Sequence, residues 1–294
     1  MRPPYPVEIV PLLPEFLQRR RAKMTYQLRR IEELGLDRPT YFWVLNLSYR
    51  GEAGATTAEG DLESPYSTIR ERWRPMAAAA RGAGLVEEKD GRWHLTAKGR
   101  DLARRQHDAA REHYATLAPL PPHELTRLAG LLDRAFAATA RAPEPSRRIH
   151  TPWALAYRDG EPAPGSFAQL DAAIFGLWQV RDDCHMSAWR ATGIAGPDLE
   201  VLTRVWRGEA KDESGLFDKL PHQAPADFLA SLERLRREGR VARDALRATA
   251  DGTRFRQGIE DETDRLFFTP WPDDVGREGP WIHEALGRVN ASLT

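Results

Sequence analysis

The sequence has a single cysteine, no long apolar run and no net charge. Because Cys184 has no second cysteine to pair with, an intramolecular disulfide and every multi-cysteine zinc or iron–sulfur site are excluded. No run of about 18 apolar residues is present, and the N-terminus leads into proline-broken, charged sequence rather than an apolar signal core. These absences predict a cytoplasmic protein that does not enter a membrane.

The sequence is long enough, at 294 residues, to build two globular domains. Its charge is divided unevenly, because residues 1–150 carry 25 basic and 19 acidic side chains whereas residues 151–294 carry 18 and 24. A basic half is typical of a domain that meets a polyanion, and an acidic half is not. No internal repeat of about 20–50 residues is visible.

A domain boundary is predicted where prolines and glycines accumulate. Two prolines within residues 141–148 end an alanine-rich helical pattern, and a Gly/Pro-rich stretch follows at residues 159–165. The sequence therefore predicts a first domain over residues 1–141, a linker over residues 142–165 and a second domain over residues 166–294.

The first domain begins with a series of predicted helices. A charged helix is predicted over residues 16–34, with Gly35 as its end, and the apolar segment 41–49 predicts a buried helix. A capping-box-like opening at residues 56–59 predicts a short third helix, and Ser64-Pro65 begins a fourth.

A hairpin and long helices follow. Asp90-Gly91 lies between two short segments of β character within residues 85–95, and this dipeptide is the strongest short-range signal of a hairpin. Long helices are predicted from Thr96 to Tyr114 and from Pro121 onward, the second with a leucine stripe. This order of helices, hairpin and long helices is that of a winged-helix module.

Two runs of residues resemble those of a known family. They are Gly84-Leu-Val-Glu, Asp90-Gly-Arg and Leu95-Thr-Ala-Lys-Gly-Arg-Asp-Leu102, and then Leu117-Ala-Pro-Leu, Glu124-Leu, Leu128 and Leu131-Leu-Asp-Arg134. The first run is similar to the wing and following helix of MarR-type transcriptional regulators, and the second to the last two helices by which that family dimerises. The resemblance covers about residues 15–140. It implies a winged helix that binds DNA as a homodimer. Only two residues separate Arg92 from Leu95, fewer than the family usually has, so we expect a short wing.

The segment from Ser64 to Arg74 has the composition of a DNA-recognition helix. Phosphates are held by cations, and base edges are recognised by small polar donors and acceptors. The predicted contacts are Tyr66, Ser67, Thr68, Arg70, Arg72 and Arg74. The resemblance also implies that Arg92, at the tip of the wing, touches the minor groove. The alternative is a solvated helix face and an ordinary arginine in a turn.

The second domain is predicted to be a helical bundle, and its most unusual segment is a long helix over residues 167–190. One row along this helix consists of Asp171, Trp178, Asp182, His185 and Trp189. Such a row can line a ligand pocket, in which aromatic rings supply contact area and the Asp/His pair supplies orientation. The alternatives are a satisfied buried network with tryptophans in the core, or a metal site, for which Asp182 and His185 alone are an incomplete set. The cofactor, if any, is unknown.

Other features of this domain are less specific. Cys184 is either a small core residue or a redox sensor. Further helices are predicted over residues 228–246 and 255–268, and the resulting bundle is weakly similar to DinB-like metalloproteins. The metal ligands of those proteins have no match here, so no metal-binding residue is predicted.

Together these patterns predict a mainly α fold, with an N-terminal winged helix that has a short β-hairpin wing and a C-terminal all-helical bundle. The predicted function is a DNA-binding transcriptional regulator, which binds double-stranded DNA at a near-palindromic site as a homodimer. The bundle would bind a small-molecule effector or enlarge the dimer. The alternative is a metal- or thiol-dependent helical-bundle enzyme whose winged helix is an interaction module.

Overall fold

Helices form most of the molecule, as the spacing of apolar residues predicts. The computed structural model describes residues 5–53, 55–56, 70–158, 162–220 and 223–293. In the N-terminal half of this part of the chain, the α-helices are α1 (Leu12–Arg19), α2 (Thr25–Leu34), α3 (Arg38–Leu47), α4 (Arg70–Gly82), α5 (Ala97–Ala115) and α6 (Pro122–Arg141). The strands are β1 (Ala55–Thr56), β2 (Val86–Lys89) and β3 (Arg92–Leu95).

The C-terminal half of the described chain is helical apart from one isolated bridge. Its helices are α7 (Thr151–Arg158), α8 (Phe167–Ala191), α9 (Gly196–Trp206), α10 (Glu213–Phe217), α11 (Pro225–Arg237), α12 (Ala250–Phe268), α13 (Asp273–Arg277) and α14 (Gly279–Ser292). None of the helices in the described ranges is long and apolar enough to cross a membrane.

The charged segment predicted as one helix over residues 16–34 forms two helices, α1 and α2. The chain breaks between them at residues 20–24, where the side chains of Arg20 and Arg21 are buried. Gly35 ends α2 with φ +62°, which confirms the predicted stop. The next helix, α3, starts two residues later with Asp37 as its N-cap, since the carboxylate accepts a 2.8 Å hydrogen bond from the backbone N–H of Thr40.

The predicted hairpin is confirmed. Strands β2 and β3 pair antiparallel, with Val86 opposite Leu95, and β1 pairs with the other edge of β3. Asp90 and Gly91 both have positive φ, 53° and 71°, as the two central residues of a type I′ turn require. Trp93 points inward, and its ring meets that of Trp43 edge to face at 6.3 Å.

The range predicted as a linker, residues 142–165, contains a helix. This helix, α7, packs on α8, and its N-terminus is capped from a distance by the buried carboxylate of Asp183. The carboxylate accepts hydrogen bonds of 2.8, 3.0 and 2.8 Å from the backbone N–H groups of Ile149, His150 and Thr151. Because these bonds are buried and their acceptor is charged, the segment is held in place.

The two halves of the chain share their largest apolar core. This core joins α1, α5 and α6 to α8 and α12–α14, so helices of the C-terminal half pack directly against helices of the N-terminal half. Its fully buried members include Phe16, Leu132, Ile174 and Leu286. A second core lies under the hairpin against α3 and α4, and a third lies among α8, α9, α11 and α12.

Candidate functional site

Helix α4 presents a cationic stripe on its exposed side. Arg74, Ala78 and Arg81 are exposed, while Ala77 and Ala80 are buried against the core under the hairpin. Exposed positions three or four residues apart form one stripe along a helix.

The hairpin lies beside this stripe. A groove of about 790 Å³ separates them, and Arg74, Arg81, Glu88 and Trp93 line it. Arg92 is the first residue of β3 and follows the turn directly, on the strand face opposite that of Trp93. Two arginines of α4 and Trp93 of the hairpin therefore border this groove, whereas Arg92 lies on the opposite face of β3.

Sequence analysis predicted seven DNA contacts. Tyr66, Ser67 and Thr68 lie outside the described residues. Arg70, Arg72 and Arg74 fall within the first five residues of α4, and Arg92 is on the neighbouring hairpin. The structure thus brings the four predicted arginines to one helix and the hairpin beside it.

A large cavity lies where α5 and the hairpin meet α7 and α8. Its volume is about 1360 Å³, and Leu47, Ala103, Leu117, Leu125 and Phe167 are among its apolar lining residues. Cavities of this size are common ligand sites, because they bury most of the surface of a small organic molecule. Asp171, from the predicted pocket row, also lines this cavity.

The inner end of the cavity is polar and buried. Asp171 Oδ1 lies 2.8 Å from Arg20 Nε, and the hydroxyl of Tyr157 donates a short hydrogen bond to the same carboxylate. Arg21 donates to the hydroxyls of Tyr114 and Tyr157 at 2.7 and 2.9 Å. Burial, and then the charge of Asp171, raises the pKa of Tyr157, so this phenol stays protonated as a donor.

His107 lies in the same wall. Its ring contacts Tyr49 and Tyr157, with centroid distances of 5.6 and 6.3 Å. Burial, reinforced by the positive charges of Arg21 and Arg111, lowers the pKa of His107 to about 4. The imidazole is therefore neutral at pH 7, and it offers a bound molecule one donor and one acceptor.

The five residues of the predicted row on α8 do not line one pocket. Asp171 faces α1 and α7, whereas the Nδ1 atom of His185 lies 3.1 Å from the hydroxyl of Thr263 on α12. Trp178 packs at the edge of the shared core, and Trp189 belongs to the core among α9, α11 and α12. They separate because α8 is packed by other helices on several sides.

Two ionisable groups of that row have strongly shifted pKa values. Burial raises the pKa of Asp182 to about 7, and burial lowers the pKa of His185 to about 3. The carboxyl is thus half-protonated near neutral pH and the imidazole is neutral. In the part of the chain that the structure describes, no group of three or more His, Cys, Asp and Glu side chains is placed to hold a metal ion.

Cys184 also lies on α8 and is buried. Burial raises the pKa of its thiol to about 12, which makes the nucleophilic thiolate rare at neutral pH. These observations favour a small core residue over a redox sensor.

Sequence reasoning missed the buried polar side chains around Asp171. Arg20 and Arg21 stand in a run of basic residues, which is typical of a solvated helix face, and no local pattern distinguishes buried arginines from exposed ones. Their partners Tyr114 and Tyr157 are more than 90 residues away in the sequence.

A family model described as a helix-turn-helix family matches residues 90–293, more than half of the chain. The chain belongs to the helix-turn-helix family. No curated protein and no solved structure matches it. The match begins at Asp90, in the hairpin turn, so it includes the hairpin's second strand and all of α5–α14.

The matched range differs from the range in which the sequence predicts the helix-turn-helix elements. Sequence analysis placed the helix-turn-helix elements within residues 1–141, whereas much of the match lies in the C-terminal region. There, α11 packs on α9, and the short helix α10 lies between them in the sequence.

Proposed function

We propose that this protein is a DNA-binding transcriptional regulator, in which α3, α4 and the β2–β3 hairpin act as a MarR-like winged helix. The observation that carries the proposal is the exposed arginine stripe of α4 beside the hairpin. The major groove of B-DNA admits an α-helix, and arginines along that helix bind phosphates or guanine edges. Membership of a helix-turn-helix family supports the same class of ligand.

In this proposal the predicted residues have distinct roles. Arg70 and Arg74 neutralise phosphates on one side of the groove, and Arg72 contacts the opposite side or a base edge. The polar side chains of Tyr66, Ser67 and Thr68 precede them and recognise bases. Arg92 enters the neighbouring minor groove, because the hairpin places it beside the turn. Contacts to phosphate set affinity and contacts to bases set specificity.

The large cavity is proposed as the effector site of the regulator. Helix α5 lines the cavity, and the same helix follows β3 directly, with Thr96 as its N-cap. A ligand held between α5 and α8 would therefore change the free-energy balance between positions of the hairpin. The lining favours a mainly apolar molecule that hydrogen-bonds to phenol and imidazole groups at its inner end.

The DNA-binding proposal is tested by removing charge from α4. The variant is the triple substitution Arg70→Ala, Arg72→Ala and Arg74→Ala. The control removes three exposed arginines from other helices: Arg29→Ala, Arg105→Ala and Arg254→Ala. Binding to duplex fragments is measured at several salt concentrations, and bound fragments are selected from a random DNA pool.

Each phosphate contact contributes about −0.9 to the slope of log Kobs against log salt. We expect the α4 variant to lose at least about tenfold in affinity and to show a slope shallower by about 2 to 3. The control should keep a slope close to that of the parent. If the α4 variant and the parent bound DNA with the same slope, the proposal would fail. Selection should give a sequence preference that the α4 variant lacks.

A further inference from the structure

The segment that joins α4 to the strand after it, which we call a corner, has a counterpart after α11. Each of these two helices is followed by a glycine with positive φ, Gly84 at 70° and Gly239 at 73°. The hydroxyl of Thr96 donates to the carbonyl oxygen of Gly84 at 2.7 Å, and that of Thr249 donates to the carbonyl oxygen of Gly239 at 2.6 Å. Thr96 and Thr249 therefore hold equivalent positions relative to Gly84 and Gly239.

The backbone bonds around these residues also correspond. In the first corner, the N–H of Thr96 donates to the carbonyl of Leu85 at 3.0 Å, and in the second, the N–H of Thr249 donates to the carbonyl of Arg240 at 3.0 Å. Each threonine then caps a helix of 19 residues, α5 or α12, by accepting a bond from the N–H of the glycine three residues on. The sequences at these caps are Thr96-Ala-Lys-Gly99 and Thr249-Ala-Asp-Gly252.

The two glycines at those caps are needed for the same reason. A Cβ added to Gly99 would lie 3.1 Å from the carbonyl carbon of Leu85 and closer still to its oxygen. A Cβ added to Gly252 would lie 2.8 Å from the carbonyl carbon of Arg240, again with the oxygen closer. In both places the helix starts directly against the backbone that ends the preceding corner.

The strands correspond as well. Val86 pairs with Leu95 at the base of the β2–β3 hairpin, and the isolated bridge joins Val241 to Ala248. Each valine comes two residues after the positive-φ glycine, and each partner directly precedes the capping threonine. The second hairpin is two residues shorter and is reduced to this single bridge.

The elements before the corners also match. Gly35 ends α2 with φ 62°, and Gly193 follows α8 with φ 75°. The residues after them, Leu36 and Ile194, are both buried, and α3 and α9 each have a proline in the first turn. Buried positions of α3 recur 158 residues later in α9: Tyr41 and Leu199, Val44 and Leu202, Leu47 and Val205.

We infer that the chain contains the module twice, from α2 to α6 and from the end of α8 to α14, and that the second copy takes the place of a partner subunit. We infer further that only the first copy contacts DNA, so that one chain binds an asymmetric site as a monomer. This last part rests on the proposed function.

The packing between the copies supports the first part. The apolar stripe of α6, which sequence analysis assigned to pairing between two chains, is buried within this chain: Leu128, Leu132 and Phe136 are fully buried. Phe136 packs directly on Gly176 of α8, where a Cβ would lie 2.6 Å from the ring. A second chain cannot use a stripe that α8 already covers.

Ion pairs cross the same boundary. Arg127 Nη2 lies 2.7 Å from Glu278 Oε2, and Arg134 Nη1 lies 2.6 Å from Asp274 Oδ2. Both arginines are on α6, whereas Asp274 is on α13 and Glu278 directly precedes α14. These exposed pairs orient the helices more than they stabilise them.

Helix α4 and its counterpart in the second copy, α11, differ in the charge of their exposed side chains. The exposed stripe of α4 includes Arg74, Ala78 and Arg81, and the equivalent positions of α11 are Leu229, Glu233 and Arg236. The formal charge at these positions thus falls from two positive to zero. The remaining arginine is held by its own module, because Arg236 Nη2 lies 2.7 Å from Glu213 Oε1 on α10. Leu229 is 54% exposed where α4 has an arginine.

The mass of the protein in solution tests, without DNA, whether the second copy takes the place of a partner subunit. Sedimentation equilibrium of the full chain over a wide concentration range should give 33.3 kDa throughout. A stable species of twice that mass would show that a second chain is needed, and it would overturn the inference.

Matched charge changes test which copy contacts DNA. Arg74→Glu and Leu229→Glu place the same side chain at equivalent, exposed positions of α4 and α11. We expect Arg74→Glu to weaken DNA binding about tenfold or more, with a shallower salt slope, and Leu229→Glu to change it less than about twofold. Comparable losses in both variants would overturn the assignment to one copy. DNA sites selected by the parent protein should lack two-fold symmetry. A palindromic site bound by two chains would also overturn the assignment to one copy.

The two proposals fail in different ways. A parent protein that binds no duplex DNA would overturn the proposed function and the role given to α4. The sedimentation result does not depend on DNA, so a monomer would still support a second copy in place of a partner subunit, and a dimer would still contradict that role.

Discussion

Alanine substitutions at Gly99 and Gly252 probe the two corners in the same way. In each case the new Cβ would overlap a backbone carbonyl, of Leu85 or Arg240, that also accepts a hydrogen bond from the capping threonine. A carbonyl group cannot rotate away as a flexible side chain can. The backbone must therefore move by on the order of 1 Å, and the hydrogen bond to the carbonyl is stretched.

The magnitude follows from opposing contributions. Overpacking against a rigid group costs about 1–3 kcal/mol, and weakening one buried backbone hydrogen bond costs about 1 kcal/mol. Alanine has a higher helix propensity than glycine by about 1 kcal/mol, which offsets part of this. We expect a net loss of about 1–3 kcal/mol in the free energy of unfolding for either variant.

Two other glycines serve as controls. At Gly130 in α6 and Gly258 in α12, an added Cβ would have no atom within 4 Å, so alanine there should be neutral or stabilise by up to about 1 kcal/mol. Urea unfolding followed by tryptophan fluorescence measures all four variants. If Gly99→Ala or Gly252→Ala unfolded at the urea concentration of the parent, the account of these corners would be wrong.

Three residues of α8 give further predictions. Asp183→Asn removes the ionised acceptor for the start of α7 and should cost about 2–4 kcal/mol at pH 7, measured by urea unfolding. Burial raises the pKa of Asp183, but hydrogen bonds from His150 and Thr151 hold it below its usual value, so the contribution of the carboxylate to stability is complete above about pH 4 and is lost as the pH falls further. The difference in unfolding free energy between variant and parent should therefore narrow at pH 3. A difference that stays constant with pH would contradict this cause. His185 has a pKa of about 3 in the folded protein, well below its unfolded value of about 6.5, so stability should fall as the pH drops below about 6.5. His185→Gln should flatten that part of the profile of unfolding free energy against pH. An unchanged profile would refute this role of His185. Cys184, with its thiol pKa raised to about 12 by burial, should react with a maleimide only after unfolding, as followed by mass spectrometry; rapid labelling of the native protein would show the burial to be wrong.

The parts of the fold that depend on neighbouring residues could be predicted from the sequence. Asp90-Gly91 specifies the hairpin turn through two positive φ angles, and Gly35 specifies a helix end in the same way. The cap of α7 could not be predicted, because Asp183 lies more than 30 residues from the backbone groups that it binds. Prolines and glycines at residues 142–165 therefore suggested a linker where the chain is tied down.

Of the two candidate sites, only the one on α4 could be predicted from the sequence. The cations of α4 are visible in the sequence, because exposure of an arginine-rich helix needs no distant partner. The cavity is formed only when α5 meets α7 and α8, so no local pattern marks Tyr114 or Tyr157 as its neighbours. The repeated module escaped notice because the copies share burial and backbone geometry more than residue identity, and because about 155 residues separate Gly84 from Gly239.

The burial of α6 against α8 within one polypeptide has a consequence for how the molecule behaves on dilution. Two surfaces joined by a chain meet at an effective concentration far above any cellular protein level, so they do not separate as the protein becomes scarce. Occupancy of a binding site should then rise hyperbolically with the amount of protein, without the threshold that subunit assembly imposes. Mixed assemblies with a defective copy cannot form through this surface, and a damaged allele would leave the product of an intact one unaffected.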